Sequence, residues 1–312
     1  MNRKRKKIIV GALAVVIGLP VAFTLTVLAW GAVSDKTNGT IVSSGVTRRY
    51  LLYVPRTYDR SKATPLVISI HPAATWPAVE MNISGWNELA NQYGFIVVYP
   101  AGSGAFFGTL TRGASVWPGG PHTLPRDVRF ISDLIDELEA EYNIDPNRIY
   151  ANGMSNGGNM AFLLSCTLSG RIAAVGVVAG AQPQSWDCGG SKAVPTVAFH
   201  GTADKFAPYL GGESPIAPMP FANIPDWTAR VAQRNQCKGD PSGTRITANV
   251  RRLAYTNCAG NADVILYTVE GGGHTWPGGK PLLEWWTGHT THDINATSLM
   301  WEFFVQHPRG PK

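Results

Sequence analysis

The pentapeptide Gly153-Met154-Ser155-Asn156-Gly157 has the residue types and spacing of an exposed nucleophile. It follows a strand-like run, Arg148–Asn152, and opens into a helix-like run, Asn159–Leu164. Glycines on both sides of a serine let the backbone turn sharply between strand and helix, so the hydroxyl stands clear at the end of a sheet. The helix N-terminus behind it favours negative charge, and negative charge is what develops on the oxygen of a tetrahedral acyl intermediate. The chemistry that suits these residues is acyl transfer.

A serine hydroxyl near neutral pH needs a base, and the base needs an orienting acid. The groups that act should follow strands, because the crevice of an α/β sheet lies at the carboxyl ends. Asp204 meets this condition, in the string His200-Gly201-Thr202-Ala203-Asp204 after the strand-like Pro195–Phe199. Asp263 precedes its strand, and Asp187 sits beside a cysteine in a Gly-rich stretch. Among the later histidines, His274 follows Val264–Val269 through Glu270-Gly271-Gly272-Gly273, a loop free enough to bring an imidazole over the serine. His307 is near the terminus, and His200 reads as a structural histidine. His289 and His292 lack further ligand candidates and read as a solvated turn, so no metal is expected and no cofactor is needed. The oxyanion hole requires two backbone N–H groups. Asn156 supplies one, and the loop His71-Pro72-Ala73-Ala74 supplies the other; Pro72 has no N–H, so Ala73 or Ala74 donates, with Ala73 preferred. Trp76, Trp117 and Trp276 occupy loops expected to border the crevice and are candidate substrate contacts.

The elements that must position these groups alternate in type. Thr40–Val42 and Arg49–Val54 read as strands around a Ser-Ser-Gly turn; Pro65–Ile70 and Phe95–Tyr99 read as buried parallel strands. Ser84–Tyr93 is an expected helix ended by Gly94. Arg126–Tyr142 places Val128, Ile131, Leu134, Ile135 and Leu138 on one face, with acids opposite. Strands at Ala173–Val178, Pro195–Phe199 and Val264–Val269 follow, and Asp293–Gln306 reads as a closing helix. Residues 101–125 form a long irregular loop and 207–225 a proline-rich surface insertion. The expected fold class is α/β, a mostly parallel sheet with helices on both faces, spanning 41–308.

The formal charge is +6, but Arg3, Lys4, Arg5, Lys6 and Lys7 belong to an N-terminal tail; the remainder has 22 basic against 21 acidic residues and offers no nucleic-acid footprint. The tail precedes an uncharged apolar run, Ile8–Trp30, whose 23 residues would span about 34 Å as a helix. Residues 1–31 are therefore expected to be a signal or membrane-spanning segment, 32–40 a linker, and the rest to lie outside the cytoplasm. That compartment tolerates disulfides. The four cysteines permit three pairings, of which the local ones, Cys166–Cys188 and Cys237–Cys258, are favoured.

With these residues placed, the chain resembles the secreted polyhydroxybutyrate depolymerase and feruloyl esterase group, LpqC-like esterases of the α/β-hydrolase superfamily. The resemblance rests on Arg48-Arg49-Tyr50, Val54-Pro55, Asp127-Val128, Phe130-Ile131 and Gly153-Met154-Ser155-Asn156-Gly157-Gly158. It continues through Val178-Ala179-Gly180, His200–Asp204, Gly271–Gly278 and Trp301-Glu302-Phe303-Phe304, covering about residues 40–308. It implies an α/β-hydrolase fold, hydrolysis of carboxylic esters without metal or cofactor, and a triad of Ser155, Asp204 and His274. The departure is Pro72, where the group usually carries glycine. The same three residues would also serve a serine peptidase, and a tethered binding module that had lost turnover is the reading from outside the enzymes.

Overall fold

The computed structural model describes residues 36–105, 115–116, 124–180, 188, 190–215, 217–281 and 283–310. The Ile8–Trp30 run and Trp117 lie outside these residues. In chain order the elements are β1 (Gly39–Ser43), β2 (Val46–Tyr53), β3 (Thr64–Ile70), α1 (Pro77–Ser84), α2 (Trp86–Tyr93), β4 (Ile96–Pro100), β5 (Gly104–Ala105), β6 (Ser115–Val116), α3 (Leu124–Glu141), β7 (Ile144–Met154), α4 (Asn156–Thr167) and β8 (Ala174–Val178). There follow β9 (Thr196–Gly201), β10 (Gly212–Ser214), β11 (Ala217–Phe221), α5 (Ile224–Arg234), β12 (Ser242–Arg245), β13 (Val250–Tyr255), β14 (Val264–Val269), α6 (Glu284–Thr287) and α7 (Ala296–Gln306).

Ten strands form one sheet in the order β1-β2-β4-β3-β7-β8-β9-β14-β13-β12. The six central strands, β4 to β14, run parallel. Antiparallel pairs extend both edges, β1 and β2 beyond β4, and β13 and β12 beyond β14. This is the mostly parallel, helix-covered sheet expected from the alternation of apolar runs. Side chains of β3 divide by the period of two: Leu66, Ile68 and Ile70 enter the core beneath α3 and α4, while Val67 enters the opposite one. On the first face Phe130, Ile131, Leu134, Ile135 and Leu138 of α3 are fully buried, which accounts for the apolar stripe read in that segment. On the other face Trp86 stacks on Phe304 and Phe95 on Trp301, joining α2 and the residue before β4 to α7. Each aliphatic side chain so removed from water contributes roughly 1.5–3 kcal/mol.

Three local expectations are revised. The helix expected over Ser84–Tyr93 starts at Trp86, because Ser84 ends a separate helix, α1, at Gly85, whose φ is 68° and whose amide bonds back to Met81. The stretch 207–225 contains the β10–β11 hairpin. The edge strands β12 and β13 and helix α5 form where the sequence suggests no elements. Both disulfides join the expected local pairs, Cys166 with Cys188 and Cys237 with Cys258. Among the described residues no helix is long and apolar enough to cross a membrane.

Candidate active site

Ser155 sits between β7 and α4 with φ 54° and ψ −121°, a conformation that non-glycine residues rarely adopt. Its amide donates to Val178 O of the neighbouring strand, and its carbonyl accepts the first bond of the helix from Asn159 N. The turn is possible because the residues two positions to either side lack side chains: a Cβ on Gly157 would collide with the carbonyl oxygens of Ile70 and His71, and one on Gly153 with Ile70 O. The serine is half-buried, at the carboxyl edge of the sheet.

The register places the other two residues at the same edge. Met154 is level with Val178, and Val178 with Phe199. Gly201, at the end of β9, is level with Val269, at the end of β14. Asp204 and His274 therefore leave adjacent parallel strands. Their loops interlock: Thr202 N donates to Val269 O, Ala203 N to Gly272 O, and Gly271 N to Thr202 Oγ1. A Cβ on Gly201 would strike the Gly272 carbonyl, so backbone packs directly on backbone here. With strands about 4.8 Å apart, β7 and β9 ends are roughly 10 Å from one another, a gap that two loops can close.

Asp204 Oδ2 accepts from His274 Nδ1 at 2.8 Å. The other oxygen, Oδ1, accepts from the amides of Phe206 and Ala207, both at 2.8 Å. The aspartate is buried. Burial alone would push its carboxyl up, but the His274 imidazole, the hydrogen bond from it, His200 and the Ala207 amide outweigh burial and hold it below the ordinary aspartate value. Because the carboxylate accepts at Nδ1, that nitrogen carries the proton and Nε2 of His274 keeps its lone pair. His200 lies on the far side of the acid, its Nε2 3.4 Å from Asp204 Oδ2 and 2.8 Å from Ala207 O. A carbonyl only accepts, so His200 carries its proton on Nε2; burial lowers its pKa and keeps the ring neutral.

The loop after β3 carries Ala73, half-buried, on the strand that adjoins β7. Its shape is fixed by His71. Gly102 N donates to His71 Nε2, so the ring proton lies on Nδ1 and donates to Pro72 O at 2.8 Å. Thr75 Oγ1 donates to the same carbonyl, and Ala74 takes a φ of 60°. Burial lowers the His71 pKa to about 4, so this histidine is a neutral brace under Pro72. Asn156, the other expected donor of an oxyanion amide, opens α4.

Residues 48–185 match the family described as Esterase PHB depolymerase. Feruloyl esterase B of Piromyces equi is 30% identical over 251 residues, 75% of this chain, which spans only 44% of that enzyme's length. The putative esterase NocK of Nocardia uniformis subsp. tsuyamanensis is 27% identical over 286 residues, 85% of this chain and 81% of its own. The chain is thus similar to the PHB depolymerase and feruloyl esterase family, and it spans less than half the length of the first of these relatives. Among solved structures, an acetyl xylan esterase from Aspergillus awamori superposes with a TM-score of 0.60 over 86% of this chain and 98% of its own, at 15% identity, which shows a shared fold.

Two of the three tryptophans expected at the crevice are corrected by the structure. Trp76 and Trp276 are each 1% exposed. Trp276 Nε1 donates to Thr297 Oγ1, and both rings belong to the core beneath α1 and α7. They hold the loops from inside and offer no face to a ligand. The aromatic residues beside the histidine are others. The Phe206 ring lies 5.4 Å from that of His274 and 5.4 Å from that of Trp286, and Trp285 and Trp286 are both exposed. The doublet Trp285-Trp286, two large aromatic residues side by side after Pro281-Leu282-Leu283-Glu284, was the sequence signal for them.

Proposed function

We propose that this protein is an extracytoplasmic serine esterase in which Ser155, His274 and Asp204 form the triad. One observation carries the reading: a serine in a strained strand–helix elbow shares its sheet edge with an Asp204–His274 pair bonded at 2.8 Å. His274 Nε2 takes the Ser155 proton as the hydroxyl attacks the ester carbonyl. Asp204 holds the tautomer and stabilises the imidazolium. The amides of Asn156 and Ala73 receive the oxyanion, with His71 bracing the Pro72 turn. The imidazolium then protonates the departing alcohol, and water, activated the same way, releases the acid from the acyl-enzyme. No step needs a metal or cofactor.

The substrates proposed are feruloyl or acetyl esters and polyhydroxybutyrate-type oligoesters, the classes suggested by the family and by its relatives' names. Two disulfides suit an oxidising compartment, and residues 1–31 are proposed to carry the chain across or into the membrane. Ser155→Ala should abolish p-nitrophenyl ester turnover and labelling by a fluorophosphonate probe, with an unchanged circular dichroism spectrum; retained turnover would refute the assignment. Rates on short aliphatic, hydroxybutyryl and feruloyl esters then rank the acyl groups.

A further inference from the structure

Arg48 of β2 and Asp127 of α3 form an ion pair at 2.7 Å, with 7% and 1% of their side chains exposed. The guanidinium lies over the Phe130 ring, 3.9 Å from its centroid. Two charges withdrawn from water add little stability, because desolvation cancels most of their attraction; apolar residues would hold the same elements at least as well. What this pair holds is one short stretch of backbone. Arg48 Nη2 also donates to Ala101 O at 3.0 Å, and Ser103 Oγ donates to Asp127 Oδ2 at 2.9 Å. Both neighbours of Gly102 are thus fastened, and the Gly102 amide between them donates to His71 Nε2 at 3.1 Å.

That amide decides where the His71 proton sits. With Nε2 engaged as an acceptor, the proton is on Nδ1 and is donated to Pro72 O at 2.8 Å. In the other tautomer the Nδ1 lone pair would face the lone pairs of that carbonyl and push it away. Pro72 O and the Ala73 N–H are opposite ends of one planar, trans peptide unit. A group that fixes the direction of the carbonyl therefore fixes the opposite direction of the N–H. A bond accepted by the oxygen also polarises the N–H and makes it a stronger donor. A series of bonds thus runs from the ion pair to the amide proposed to receive the oxyanion.

We propose that Arg48 and Asp127 are positioning residues of the oxyanion site, acting on the Ala73 amide through Gly102 and His71. The inference rests on Ala73 being an oxyanion donor of the proposed esterase. Neither residue touches the substrate. Their effect belongs to the transition state, where charge develops on the carbonyl oxygen.

The test uses the full chain and p-nitrophenyl acetate, with rates expressed per site titrated by a fluorophosphonate probe. Asp127→Asn should lose about 10–100-fold in kcat, with KM within about twofold of the native value. Arg48→Met should lose as much, and Arg48→Lys, which keeps a charged donor, should recover most of the loss. Ser103→Ala spares the ion pair, should fold normally and should still lose about threefold in kcat; no loss there would overturn the path. Adding Asp127→Asn to His71→Phe should cost less than about twofold further, because the path is already cut. A full second loss would show that the pair does not act through His71. Lower melting temperatures with kcat unchanged in all the variants would make the pair structural and overturn the proposal. Nitrogen NMR spectra of the imidazoles need no turnover. The His71 signals, recognised by their absence in His71→Phe, should report an Nδ1–H ring in the native chain and mixed tautomers in Arg48→Met. The same Nδ1–H ring in both would overturn the proposal. A native chain that hydrolyses no ester, with the tautomer still following Arg48, would refute the esterase reading and uphold the control of His71 by the ion pair.

Discussion

Asp204 faces two histidines, and the geometry gives them different work. His274 Nδ1 approaches Oδ2 at 2.8 Å in line with a full hydrogen bond; His200 Nε2 stands 3.4 Å from the same oxygen and gives its proton to Ala207 O. The 204–207 turn is thereby fastened at both ends, since Ala207 N in turn donates to Asp204 Oδ1. His200 is a positioning residue. His200→Gln, whose amide can reproduce an Nε2–H donor, should keep most of the activity. His200→Ala should lose about 10–100-fold in kcat with little change in KM, because a misplaced carboxylate leaves the imidazole misaimed. A purely structural role would predict that both variants lose stability and neither shifts kcat once folded, so thermal melts run beside the kinetics decide the matter.

At the scale of elements, Gly157 joins the two halves of the proposed acyl site. It opens α4 behind Ser155, and its missing side chain lets the helix touch the end of β3, where the Ala73 loop begins. Gly157→Ala should push that loop away from the serine, cutting kcat by about 100-fold and lowering the melting temperature, as measured on p-nitrophenyl acetate and by calorimetry. Ordinary kcat in a folded variant would show that the loop has no part in the oxyanion site. This contact was not legible in the sequence, where Gly157 reads only as a turn former. What could be read were residues whose chemistry declares itself locally: the apolar runs of β3, β4 and β14, the one-sided stripe of α3, the post-strand string His200–Asp204 and the Gly-rich string before His274. The other elements gave weaker local signals. The four residues of β12 are all exposed, so they carry no apolar mark, and α1 is buried at both ends and lacks the polar face by which a surface helix is recognised. Trp76 and Trp276 misled for the converse reason. A loop position suggests exposure, but each ring turns inward to fill space between α1, α7 and the sheet.

At the scale of the whole molecule, two acids outside the steps of the proposed reaction are buried among the described residues: Asp127, paired with Arg48, and Glu80, whose protonation couples stability to pH. Glu80 of α1 lies fully buried between α1 and the sheet. Ser69 Oγ is within hydrogen-bond reach of both Glu80 Oε1, at 2.9 Å, and Asn152 Oδ1, at 3.0 Å. Trp86 Nε1 donates to Asn152 Oδ1, which fixes that oxygen toward the serine. One hydroxyl proton cannot serve two acceptors, so Ser69 donates to Asn152 and the carboxylic OH of Glu80 donates to Ser69. Glu80 Oε2 has no hydrogen-bond partner among the described residues. Burial, only partly offset by the serine, raises this carboxyl from 4.5 to about 8, in agreement with the proton count. The sign follows. In the unfolded chain the acid ionises near 4.5, while the folded chain keeps its proton up to about 8. Between those values unfolding releases a proton, so stability falls as pH rises, by up to about 1.4 kcal/mol per pH unit, and levels off above the folded value. Glu80→Gln can donate to Ser69 in the same way and has nothing to ionise. Urea melts should therefore show the variant near the native chain at pH 5 and progressively more stable than it towards pH 8. A difference between the two that does not change with pH would mean that Glu80 is charged in the folded protein, and the proton count at Ser69 would have to be redrawn.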